Sequence, residues 1–159
     1  MTIEVCSQSR AVELAAEAKH STSVISIVST DEAEVAFEEN PNLQSVLRLR
    51  FNDLTDEADE EGIPYGEPVP AQKDFEGLKE FVDGLDCDHL IIHCWEGSSR
   101  SAAVAAAVYE YRGSKDTLKK GERFCPNPLV HTLARRELFT TQADRSATSH
   151  PMVNFRWQT

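Results

Sequence analysis

The segment Leu90–Arg112 constrains this chain more than any other. Leu90-Ile91-Ile92 is a short apolar run with the pattern of a buried strand. Ser101–Arg112 is rich in alanine and predicts a helix, with its start at about Arg100. Between them lie polar residues, one tryptophan and one glycine. A polar run placed directly after an apolar strand suits a loop at a sheet end and suits a core poorly.

The rest of the chain repeats this alternation. Ile3–Cys6 is a mixed run, Ser7 and Ser9 are cap candidates, and Arg10–Lys19 reads as helix. Ser23–Val28 and Ser45–Phe51 read as strands. Thr30–Glu39 reads as a helix start or helical turn, stopped by Asn40-Pro41-Asn42. Residues 52–72 hold Gly62, Pro64, Gly66, Pro68 and Pro70 and predict a long functional loop. Asp74–Leu85 carries apolar residues at helical spacing. Asn127-Pro128 opens a helix through Phe139, and the chain from Thr140 is polar and reads as irregular. The expected fold is therefore α/β, a central and mostly parallel sheet flanked by helices. Residues 1–139 form one domain, followed by a tail, 140–159, to which no role is assigned. Ligands of such sheets bind beyond the C-terminal strand ends.

Several function classes are disfavoured. The longest apolar run, Ala102–Tyr109, has eight residues, where a membrane span needs about 20. The start, MTIEVCSQSR, lacks the basic and apolar regions of a secretory signal. A net charge of −11 repels phosphate backbones and argues against nucleic-acid binding. That charge is uneven: residues 31–61 carry eleven acids and two bases, residues 112–136 seven bases and two acids. The four cysteines, Cys6, Cys87, Cys94 and Cys125, form no Cys-x-x-Cys pair. A reducing, cytoplasmic setting with free thiols is expected. Cys87 is too far from Cys94 along an extended segment to resolve it, and Cys6 or Cys125 reach it only through tertiary folding. His89 and His93 share a strand face from which Cys94 points away, so no metal site is expected there.

The loop His93-Cys94-Trp95-Glu96-Gly97-Ser98-Ser99-Arg100-Ser101 carries the chemistry. Successive amides of a tight glycine-containing turn converge into a nest for a tetrahedral anion. The helix N-terminus adds positive potential, and Arg100 offers a bidentate guanidinium. The same fields are expected to lower the Cys94 pKa. The arrangement requires a sulfur that is reached from solvent and a guanidinium turned into the ring.

His-Cys-x5-Arg at a strand-to-helix turn resembles the signature of the cysteine-based protein tyrosine phosphatases. The HC-x-E-G-x-S-R-S form resembles the dual-specificity branch and its small bacterial relatives, and the order of elements extends the likeness over about residues 45–139. The resemblance implies a phosphatase-like fold and a phosphomonoester hydrolase without metal or cofactor. It implies Cys94 as nucleophile, with Arg100 and the backbone of Trp95, Glu96, Gly97, Ser98 and Ser99 binding phosphate. His93 would orient the loop, and Ser101 would help expel the thiolate. Ser99 reads either as loop support or as a helix N-cap. Asn127-Pro128 reads either as a buttress of the loop or as a plain helix start. The general acid is expected from the loop before the cysteine, with Asp53 ahead of Asp56 and Asp59, because Asp53 closely follows a strand in LRLRFND. Trp95 either packs or stacks on a substrate ring. Glu96 and the lack of lysine in the loop disfavour polyphosphorylated inositols, and the acidic lid disfavours strongly acidic peptides. Phosphotyrosine in proteins, or small aryl phosphates, remain as substrates. Two rivals remain: a module that binds phosphorylated ligands without turnover, and a sulfur- or arsenic-handling enzyme.

Overall fold

Residues 89–94, HLIIHC, form the central strand because five of the six are buried and a strand enclosed on both faces needs apolar side chains in both directions. The computed structural model describes residues 1–113 and 115–148. In chain order the elements are β1 (Thr2–Ser7), α1 (Gln8–Ala16), β2 (Thr22–Val28), β3 (Leu43–Arg50), a 3₁₀ turn (Gln72–Phe75), α2 (Leu78–Asp83), β4 (His89–Cys94), α3 (Arg100–Arg112), β5 (Thr117–Lys119), α4 (Pro128–Phe139) and α5 (Gln142–Thr148). The sheet order is β3-β2-β4-β1-β5 and every pairing is parallel. The expected mostly parallel sheet is thus wholly parallel among the described residues.

Alternation along β4 divides the core. Leu90, Ile92 and Cys94 face α3 and α4, together with Phe51, Phe75 and the alanines of α3. Ile91 faces the other way, onto Ala11 and Ala15 of α1. Register sets the site: Ser7 pairs with Cys94, and Ser26 with His93, so β1, β2 and β4 end nearly flush.

Four expectations are corrected. Residues 30–39 form no helix. The guanidinium of Arg48 takes the Val35 carbonyl, and Arg50 takes those of Ser29, Thr30 and Glu32. Carbonyls held by the side chains of β3 are not free for helical amides. The helix expected over 74–85 is broken, because Gly77 sits at φ 85° between the 3₁₀ turn and α2. The three-residue edge strand β5 lies inside the stretch 113–126, where no element was expected. The chain after Thr140 is not irregular throughout. Thr141 and Asp144 cap α5 reciprocally, side chain to backbone, at 3.2 and 3.0 Å. Arg145 then pairs with Glu80 and Glu137, docking α5 on α2 and α4. The expected tail beyond residue 148 lies outside the described residues. No described helix is long and apolar enough to cross a membrane.

Candidate active site

The loop from Cys94 to Arg100 is held in place by its carbonyls. Trp95 O accepts from Gln8 N at 3.2 Å, Ser98 O from Cys125 N at 2.8 Å, and Ser99 O from Asn127 N at 3.3 Å. No acceptor among the described residues takes the amides of Glu96, Ser98 or Ser99. The carbonyls are thus spent on α1 and on the approach to α4, while these amides remain available as donors.

Gly97 permits this path for two reasons. Its φ is 76°, and a Cβ there would lie 2.3 Å from the Cys6 carbonyl carbon and 2.5 Å from Ser7 N. Only a residue without a side chain passes so close to the end of β1. The Gly97 amide, in turn, donates to Cys94 Sγ at 3.3 Å. Ser101 Oγ, on the second residue of α3, lies 3.1 Å from the same sulfur. The sulfur thus has the Gly97 amide as a donor and the Ser101 hydroxyl within hydrogen-bond distance.

Cys94 is 2 % exposed and Arg100 6 %. The sulfur is buried, so the requirement of a thiol reached from solvent is not met in this structure. Arg100 is anchored at one nitrogen: Nη1 donates to Ser29 Oγ at 2.8 Å and to Phe51 O at 3.1 Å. Its Nε is buried with no partner. A buried cationic N–H left unpaired costs about 1–3 kcal/mol or more, and this one has no acceptor among the described residues.

Asp53 is the acid that the fold brings to this loop. Its Oδ1 accepts from Ser99 Oγ at 2.7 Å and from Asn127 Nδ2 at 2.9 Å. Asn127 Oδ1 accepts from the amides of Leu129 and Val130, so one residue caps α4 and grips the acid. Both readings of Asn127 therefore hold together. Ser99 occupies the N-cap position of α3, but its hydroxyl makes no cap bond and goes to Asp53 instead. Asp59 folds its carboxylate onto the amides of Glu61 and Ile63, tying a hairpin turn, and Asp56 is exposed and accepts from Thr55.

His93 is fully buried and lies behind the loop. Its Nε2 is 2.8 Å from Ser26 Oγ and its Nδ1 3.5 Å from the Cys94 carbonyl. Burial pushes its pKa down to about 4, opposed by the bond to the Cys94 carbonyl and helped by the charges of Arg100 and Arg48. A neutral ring gives Nδ1–H to that carbonyl and accepts from Ser26. Trp95 is 59 % exposed, so it does not pack into the core. Glu96 is exposed and Ser98 half-buried on the loop's rim.

The remaining thiols are free. Cys6 is raised to about 12, chiefly by burial, and packs on the α1 face, away from Cys94. Cys87 Sγ sits 3.6 Å from Met1 Sδ. His89 pairs with Glu4 at 3.0 Å, and no group of potential metal ligands occurs among the described residues. Sequence reasoning missed Ser29, the anchor of Arg100, and Asn52, whose carboxamide ties Thr30 to Pro68. The signal for Ser29 was its place at the end of a buried strand in a parallel sheet.

Comparisons with protein-family models, with curated proteins and with solved structures return no match.

Proposed function

We propose that this chain is a phosphomonoester hydrolase of the protein-tyrosine-phosphatase type, with the fold of that superfamily and phosphotyrosine in proteins, or small aryl phosphates, as substrate. The observation that carries the reading is the unpartnered, buried Arg100 Nε in the same loop as Cys94 Sγ. A phosphoryl oxygen gives that nitrogen its acceptor, and the free loop amides take the others. Trp95, exposed on the rim, offers an aromatic face to an aryl leaving group.

In the proposed reaction the Cys94 thiolate attacks phosphorus. The S–P bond forms as the bond to the leaving oxygen breaks, and Asp53 gives that oxygen its proton. Because Ser99 and Asn127 both occupy Oδ1, Oδ2 is the oxygen left to carry it. Water then attacks phosphorus, losing its proton to Asp53, and the S–P bond breaks. The Ser101 hydroxyl, 3.1 Å from Sγ, stabilises the departing thiolate. His93 acts through the Cys94 carbonyl and takes no proton.

The enclosure of Cys94 favours one rival, a module that captures phosphorylated ligands without turnover. Hydrolysis of para-nitrophenyl phosphate separates the two. Turnover by the wild type, abolished in Cys94→Ser with phosphate or vanadate binding retained, supports the enzyme. Binding without turnover in the wild type establishes the module.

A further inference from the structure

The last backbone bond between the β2 and β3 chains runs from Phe51 N to Val28 O at 3.0 Å. Beyond it the two chains part, and among the described residues no backbone hydrogen bond joins them again. The residues just past that bond nevertheless hold the site. Ser29 Oγ and Phe51 O, one on each chain, take Arg100 Nη1, and Asp53 stands two residues after Phe51. A tie between the two chains at this point therefore sets where both the guanidinium and the acid stand.

The buried side chain of Asn52 is that tie. Its Oδ1 accepts from Thr30 N at 3.1 Å and from Thr30 Oγ1 at 3.2 Å, joining the residue after Ser29 to the residue after Phe51. Its Nδ2 donates to Pro68 O at 3.2 Å and closes the base of the loop whose first residue is Asp53. A carboxamide has an accepting end and a donating end, and here they point to different tasks. The acceptor spaces the two anchors of Arg100, and the donor holds the loop that carries the acid. Thr30 and Pro68 are themselves exposed, so these bonds organise the rim of the site rather than the core. Asn52 holds them rigidly, because the alternative is a buried polar group without a partner.

We infer that Asn52 is a positioning residue for the reaction proposed above, an inference that rests on the phosphatase reading of the loop. Its Oδ1 aims Arg100 Nε by fixing the spacing of Ser29 and Phe51, and its Nδ2 keeps Asp53 beside the leaving oxygen. It takes no proton and touches no reacting atom. Ser99 and Asn127 grip Asp53 from the other side, so the acid is loosened rather than released when Asn52 is lost.

The test compares the wild type with Asn52→Leu, which is close in shape and makes neither bond. Rates are measured on phosphotyrosine and on para-nitrophenyl phosphate, vanadate affinity by titration, and the folded fraction by urea unfolding. The expected loss in kcat is about 10²-fold on phosphotyrosine, whose leaving group needs the acid, and about tenfold on para-nitrophenyl phosphate. Vanadate binding is expected to weaken about fivefold, the weight of one hydrogen bond. The inequality between substrates decides, since a lowered folded fraction reduces both rates alike. Where Asn52→Leu does not fold, Thr30→Val removes only the hydroxyl contact and is expected to weaken vanadate binding about two- to threefold; an unchanged affinity there overturns the role. Equal losses on both substrates with vanadate affinity unchanged, or no loss at all, overturn it as well. Weaker vanadate binding by Asn52→Leu, beside a wild type that binds vanadate and hydrolyses neither ester, keeps the hold on Arg100 and overturns the hydrolase. A wild type that neither binds vanadate nor hydrolyses either ester overturns both.

Discussion

Ser99 Oγ stands 2.7 Å from Asp53 Oδ1, joining the loop after β4 to the acid that follows β3. Forty-six residues separate them in sequence, and Asn127 closes the triangle at 2.9 Å. The contact fixes where the carboxyl stands relative to the loop and which of its oxygens is free.

In the proposed mechanism Asp53→Asn removes the proton donor and keeps an acceptor for Ser99. Hydrolysis of substrates with poor leaving groups is expected to fall about 10²- to 10⁴-fold, and much less for activated aryl esters, with phosphate affinity retained. Ser99→Ala keeps the acid but loosens it, with an expected loss of about tenfold in kcat. Steady-state rates across a series of leaving groups check both, and an unchanged rate on phosphotyrosine in Asp53→Asn rejects the assignment.

Gly97 cannot accept a side chain. A Cβ 2.3 Å from backbone carbon, at φ 76°, forces β1 or the loop to move. Gly97→Ala is expected to cost about 3 kcal/mol or more, the size reserved for backbone clashes and core overpacking. Gly121→Ala is the control: its nearest neighbours would lie at 3.5 and 3.6 Å, ordinary contact, and its effect is expected within about 1 kcal/mol. Urea unfolding of the two variants reads the difference.

The stretch from Leu90 to Arg112 was legible because a buried strand, a polar turn and an alanine-rich helix each leave their own pattern, and the sheet then dictates where the turn sits. Asn127 was legible as a start signal before Pro128. Ser29 was not, because its partner Arg100 is 71 residues away and nothing local marks the contact. Residues 30–39 misled because acidic residues after a threonine look like a helix start, whereas Arg48 and Arg50 claim their carbonyls from a neighbouring strand. Thr141-x-x-Asp144 carried a capping signature that went unused, since α5 is short and polar.

His93 links stability to pH. Its folded-state pKa of about 4 lies below the ordinary 6.5, so the unfolded chain takes up this proton first. Stability from this group is complete above about pH 6.5 and is lost as pH falls toward about 4. The loss is on the order of 3 kcal/mol, at 1.36 kcal/mol per unit. His93→Asn is less stable at neutral pH but should show a flatter profile in that window. Chemical denaturation at half-unit steps from pH 7 to 4 compares the slopes, and parallel curves reject the role of His93.

Arg100 works through two nitrogens with different tasks. Nη1 is held by Ser29 Oγ and Phe51 O, and Nε is buried without a partner; in the proposed reaction Nε is the donor to the phosphoryl group. A lysine has no planar fork and cannot serve both ends. Arg100→Lys is therefore expected to lower kcat/KM about 10²- to 10³-fold, the range for losing one aligned donor. Ser29→Ala keeps the guanidinium and the Phe51 carbonyl, so it should cost only about tenfold and weaken phosphate or vanadate binding in proportion. Kinetics and oxyanion titration on both variants distinguish an anchored donor from a structural arginine. If Arg100→Lys binds vanadate as tightly as the wild type, the guanidinium does not reach the anion.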